Sequence, residues 1–239
     1  MARELAAELL GTALLLAVVV GSGIMGESLA GGNVAVALLA NSLATGAALV
    51  VLILVFAPIS GAHLNPVVTL SAAGRGKLSW SRVVPYVVAQ VLGAFVGVLV
   101  AHVMFGQPSF TASSHVRGDP GQLVSEAVAT FGLVLTILAV KRSRPAAAPY
   151  AVALFIVSAY WFTASTSFAN PAVTLARAAT ATFAGIRPVD VPGFVVAQVI
   201  GAAGAVALFA WLWAPERAPG ADRQHVAGQG GLVDVADEA

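Results

Sequence analysis

Three short motifs occur twice in this chain, in the same order. Ala7-Glu8-Leu9-Leu10-Gly11-Thr12 returns as Ser125-Glu126-Ala127-Val128-Ala129-Thr130. Asn65-Pro66-Val67-Val68-Thr69-Leu70 returns as Asn170-Pro171-Ala172-Val173-Thr174-Leu175. Ala89-Gln90-Val91-Leu92-Gly93-Ala94 returns as Ala197-Gln198-Val199-Ile200-Gly201-Ala202. An ordered coincidence of three matches marks an internal repeat, and a repeat restricts the fold to two copies of one structural unit.

The unit is a membrane one. A bilayer core about 30 Å thick requires roughly 20 apolar residues per spanning helix. Six segments meet this: about Leu5–Met25, Val34–Phe56, Val83–Phe105, Leu123–Val140, Ala147–Phe162 with its flanks, and Val191–Trp213. The first is too long for a signal-peptide core and carries Glu8 inside, so it reads as a retained helix. Composition agrees, with 59% hydrophobic and 10% charged residues against roughly 25% charged in soluble domains. Each repeat holds three spans, an odd number, so the two copies enter the membrane with opposite orientation and form an inverted repeat. The fold class expected is an all-α membrane protein of six transmembrane helices plus two re-entrant half-helices in a 3+3 arrangement. A channel domain is expected over residues 1–214, with repeat one at about 3–105 and repeat two at about 121–214. Residues 215–239, rich in Gly, Pro and acidic side chains, read as a disordered cytoplasmic tail.

Loop charge gives the orientation. Arg3, Arg75, Lys77, Arg82, Lys141, Arg142, Arg144, Arg217 and Arg223 fall on one side, and Arg117, Arg177 and Arg187 on the other. This bias places both termini in the cytoplasm of a cell whose plasma or inner membrane holds the protein. The net charge of +1 and the absence of a basic stripe give no reason to expect nucleic acid. Absence of cysteine excludes disulfides and thiolate sites. His102 and His115 have no carboxylates at ligand spacing, so no metal and no cofactor are expected.

The two Asn-Pro motifs carry the function. Each follows a full span and opens an apolar stretch, about Val67–Ala73 and Ala172–Phe183, too short to cross a bilayer at about 1.5 Å per residue. Asn is a strong N-cap and Pro suits the first helical turn, so each motif starts a half-helix. Irregular backbone at membrane depth is tolerated where it is buried or lines an aqueous cavity. Inverted symmetry then brings the two half-helices together N-terminus to N-terminus, with both positive dipole ends at one place.

With Ser60-Gly-Ala-His-Leu-Asn-Pro-Val-Val-Thr and Phe168-Ala-Asn-Pro-Ala-Val-Thr, the chain resembles the aquaporin, or major intrinsic protein, family over about residues 3–213. The resemblance implies six spans and two half-helices in a right-handed bundle, one pore per subunit and a homotetramer. It implies that the Asn65 and Asn170 amides donate to a passing solute. Carbonyls of Gly61, Ala62, His63, Ser167 and Phe168 would form a polar stripe on an apolar wall. The family's filter positions, counted from the two asparagines, fall on Thr45, Ser158, Ser167 and Val173. Water-selective members carry an aromatic, a His and an Arg there, and glycerol channels keep aromatics and the Arg; here a Thr, two Ser and a Val stand instead. An arginine-free filter is similar to that of a bacterial aquaglyceroporin branch linked to arsenic resistance. The expected cargo is therefore glycerol-like polyols, arsenous acid and methylated arsenicals, with some water. A water-selective pore is the alternative.

Glu8 and Glu126 are ionisable groups inside apolar spans and so are functional candidates. One reading is a proton relay; the other, which the resemblance favours, is that each accepts hydrogen bonds from a re-entrant loop. Inverted repeats with broken helices also build secondary transporters, but coupling needs a charge that changes state, and loop support already occupies both carboxylates. No nucleophile, base and orienting group converge, so an enzyme is not expected.

Overall fold

The computed structural model describes residues 1–214; the tail reading from residue 215 onward lies outside the described residues. Secondary structure among the described residues is helical. In chain order the helices are α1 (Ala2–Leu29), α2 (Val34–Ser60), α3 (Pro66–Gly74), α4 (Val83–Met104), α5 (Pro120–Ser143), α6 (Ala148–Phe162), α7 (Pro171–Arg177) and α8 (Val191–Leu212). Six are long and apolar enough to cross a membrane, α4, α6 and α8 being extended by single 3₁₀ turns at their starts. α3 and α7 are the two short elements.

The caps explain where the short helices begin. The Asn65 side chain accepts from Val67 N, and the Asn170 side chain accepts from Ala172 N and Val173 N. A proline fills the first helical position of each, where no N–H is needed. The second half-helix is shorter than its apolar run suggests, ending at Arg177 rather than near Phe183. Its carbonyls are claimed by neighbouring chain: Arg177 O accepts from Ile186 N, Ala178 O from Ser113 N and Ala179 O from Thr111 N. The loop between α4 and α5 thus pairs with the segment after α7 and stops the helix.

The repeats interlock. In repeat one α1 packs along α4, and in repeat two α5 packs along α8. Close approach rests on glycine: a Cβ on Gly93 or Gly97 would collide with the Leu9 or Ala13 backbone of α1, and one on Gly201 with the Ala127 backbone of α5. Small residues at such crossings replace the hydrophobic drive that lipid removes. Each half-helix is then buried against the other repeat. Val67 of α3 packs with Val134, Ala202 and Ala205 of α5 and α8. Ala172, Val173 and Ala176 of α7 pack with Leu15, Leu16, Val98 and Ala101 of α1 and α4.

Candidate functional site: a lumen between two broken helices

Among the described residues, five non-glycine positions hold left-handed backbone: Ala62, Leu64, Thr166, Ser167 and Ala169. Each costs about 1–2 kcal/mol, and all lie in the two loops that precede the half-helices. Two buried carboxylates hold these loops. Glu8 Oε1 accepts from Ser60 Oγ (2.6 Å) and His63 N (2.9 Å), and Oε2 accepts from Leu64 N and Gln90 Nε2 (both 2.7 Å). Glu126 repeats the pattern with Ser165 Oγ (2.6 Å), Phe168 N (2.8 Å), Ala169 N (2.9 Å) and Gln198 Nε2 (2.6 Å). Both are fully buried, and four charge-assisted bonds apiece satisfy the carboxylate oxygens.

These bonds also aim the carbonyls. No peptide bond here is cis, and in a trans peptide the C=O points opposite to the next residue's N–H. The His63 and Leu64 amides point at Glu8, so the Ala62 and His63 carbonyls point away from it; the Ser167 and Phe168 carbonyls likewise point away from Glu126. The Gly61 carbonyl faces away from the Ser60 hydroxyl that accepts from Ala62 N.

A continuous cavity runs where the loops meet. Its lining combines loop residues Gly61, Ala62, His63, Asn65, Ser167, Phe168 and Asn170 with the apolar helix residues Leu15, Val19, Leu49, Ile53, Leu133, Val152 and Ile156. Asn65 Nδ2 donates to Ala169 O and Asn170 Nδ2 donates to Leu64 O, each at 2.8 Å, across the junction of the repeats. A primary amide carries two N–H donors, so each asparagine keeps one for the lumen. The result is a row of donors and acceptors against an apolar wall, in a passage where both half-helix N-termini converge.

Of the filter positions, Thr45, Ser167 and Val173 line this cavity. Ser158 does not, and this corrects the sequence reading. It is exposed on the outer side of α6, its hydroxyl donating to Phe155 O at 2.7 Å. Tyr160 takes the place, lining the lumen with its hydroxyl 3.3 Å from Thr45 Oγ1. Two residues along a helix turn a side chain by about 200°, so only one of the two can face inward. The α6 stripe Ala148, Val152, Ile156, Tyr160, spaced by four, is the face that lines the lumen. The lumen is therefore not free of aromatics. Nor is it free of charge: Lys141 lines it beside His63 at one mouth, and Arg177 lines it one turn beyond Val173 at the other.

His63 Nδ1 lies 3.1 Å from Thr69 Oγ1, and its ring sits 5.5 Å from Tyr86. His102 is bound to Ser109 O and Thr180 Oγ1, and the described residues contain no metal-holding cluster.

An inverted 3+3 helical bundle with paired half-helices around a lined lumen is the architecture of a membrane channel. Comparison with known proteins gives its family. Residues 1–149 match the model described as "MIP: Major intrinsic protein". The chain is 55% identical over 215 residues to "Aquaglyceroporin AqpS" of Rhizobium meliloti, covering 90% of this chain and 92% of that one. It is 32% identical to "Glycerol uptake facilitator protein" of Streptococcus pneumoniae over 58% of this chain and 64% of that one. The fold is shared with the aquaglyceroporin from Plasmodium falciparum at a TM-score of 0.69 and 24% identity, covering 88% and 94% of the two chains. The chain belongs to the major intrinsic protein family. It is a multi-pass membrane channel and not an enzyme.

Proposed function

We propose that this channel passes small uncharged solutes through a filter of Thr45, Tyr160, Ser167 and Val173, neutral at all four positions. The cargo is glycerol-like polyols, arsenous acid and methylated arsenicals, with some water. The observation that carries this reading is the two-sided lumen. A polyhydroxy solute has hydroxyls for the carbonyl and asparagine row and an apolar side for the Ile53, Val152 and Ile156 wall, so it exchanges its hydration shell for matched partners. A small side chain at Val173, in place of a guanidinium, leaves room for a solute larger than water. The aquaglyceroporin names of the relatives point the same way. The working unit is a homotetramer in the plasma membrane, as is general in the family, and the asymmetry of loop charge supports cytoplasmic termini.

Tyr160 favours a second reading, a pore that passes water alone, because its ring occupies lumen that Ser158 would have left open. Stopped-flow light scattering on proteoliposomes separates the two. Re-swelling after glycerol and arsenous acid shocks, absent with an impermeant sugar, supports the solute channel. Shrinkage without re-swelling supports the water pore.

A further inference from the structure

We propose that Arg177 is the fixed cation at its mouth of the lumen and sets the exclusion of cationic solutes there, one helical turn beyond the neutral Val173. The proposal deepens the reading above and rests on it for the identity of the cargo.

Two buried arginines approach the same ring at this mouth, and their difference carries the inference. Arg117 has its Cζ 5.1 Å from the Phe168 ring centroid; its Nε donates to Gly185 O at 2.8 Å and its Nη1 to Ser165 O at 3.1 Å. It does not line the lumen, and its donors tie the α4–α5 loop to the loop before α7 and to the segment after it. Arg177 has its Cζ 3.4 Å from the same centroid, and its Nε donates to Ala184 O. Among the described residues its two terminal nitrogens have no hydrogen-bond partner. Nor are they sealed in: the buried side-chain atoms that lack a partner are Thr12 Oγ1, Gln90 Oε1, Thr130 Oγ1, Ser167 Oγ and Gln198 Oε1. The residue as a whole is only 3% exposed, so the space those nitrogens reach is the cavity that Arg177 lines.

No acid among the described residues forms an ion pair with the guanidinium, although Glu126 is near enough to act on it coulombically. The ion pairs among the described residues are Met1–Glu4, Arg82–Glu4 and Arg187–Asp190. Cation–π contact with Phe168 and the bond to Ala184 O hold the guanidinium in place without neutralising it. Val173 and Arg177 are four apart and share a face of α7, their backbones about 6 Å apart along the helix axis, and the guanidinium lies against Phe168. The matching position of repeat one, seven residues after its asparagine, is Ala72. The half-helix N-termini disfavour cations at the centre of the passage; Arg177 adds a second barrier at the mouth.

The test uses two probes of one shape, urea and guanidinium, which differ in charge. Proteoliposomes holding the wild type, Arg177→Gln or Arg177→Lys are scored by the ratio of guanidinium to urea flux. A charge at about 6 Å and an effective dielectric near 20 predicts a rise on the order of a hundredfold in that ratio for Arg177→Gln. Arg177→Lys, which keeps the charge, should return the ratio towards the wild-type value. An unchanged ratio in an Arg177→Gln channel that still conducts urea overturns the proposal. A wild type that passes no urea contradicts the solute-channel reading instead. Where the Gln variant fails to assemble, or urea does not pass, the wild type decides. Methylglyoxal should modify Arg177, reached through the lumen, and spare Arg117; labelling of neither, mapped by mass spectrometry, overturns the proposal.

Discussion

The two loops that open the half-helices are nearly superposable in chemistry and differ in what they show the solute. Ser60, Glu8, Gln90 and Thr69 in repeat one correspond to Ser165, Glu126, Gln198 and Thr174 in repeat two. Even the amide-to-hydroxyl bonds agree, with Gln90 Nε2 to Thr69 Oγ1 and Gln198 Nε2 to Thr174 Oγ1 both at 2.9 Å. The residue two before each asparagine also meets an aromatic ring: His63 tilted against Tyr86 at 5.5 Å, Phe168 edge-on to Phe194 at 5.2 Å. Yet repeat one presents an imidazole where repeat two presents a phenyl ring sandwiched into an arginine cluster, and Ala72 where repeat two has Arg177. The scaffold is symmetric because both loops have the same backbone donors to satisfy. The lumen is not symmetric because no such constraint acts on side chains that face it.

The largest effect that could break this comparison lies in the carboxylates. Glu126→Ala strands four donors, each costing about 1–3 kcal/mol when buried without a partner, against a total stability of about 5–15 kcal/mol. Glu8→Ala strands four as well. Both variants should lose folded yield to a similar degree by size-exclusion profile; a folded Glu8→Ala channel beside an unfolded Glu126→Ala one would end the symmetry argument.

Next comes α6. Tyr160→Ala enlarges the filter and should raise glycerol permeability several-fold, while Ser158→Ala, on the outer face, should leave it unchanged in the stopped-flow assay. The reverse order would restore Ser158 to the lumen.

The smallest effect concerns His115, in the loop before α5. Burial lowers its pKa, with further lowering from Arg117 and then Arg177. Arg177→Gln removes one of these cations and should raise the His115 pKa, read by NMR titration of the imidazole; the neutral form then gives way to the charged one at a higher pH than in the wild type.

Much of this was legible in the sequence, for a physical reason. Asparagine caps, prolines at first turns and buried acids are local demands of the backbone, and repetition made them visible twice. What was hidden depends on helix phase and on contacts between distant segments. Counting back from Asn170 reached Ser158, whereas the lumen face of α6 is set by the stripe that ends at Tyr160. Arg117 and Arg177 looked like loop charges on the sparsely basic side. In the fold they gather over Phe168, brought there by the pairing of the α4–α5 loop with the segment after α7, which no local pattern announces. The stripe at spacing four in α6, and an arginine four residues after Val173, were the signals available.

The central claim is that a neutral residue at Val173 leaves the pore open to solutes larger than water. The most direct test is the ratio of glycerol to water permeability in wild-type and Val173→Arg proteoliposomes. Measurable glycerol flux is expected in the wild type, with a ratio that falls at least about tenfold in the variant, where a bulky donor fork enters the filter. Equal ratios in the two would contradict it.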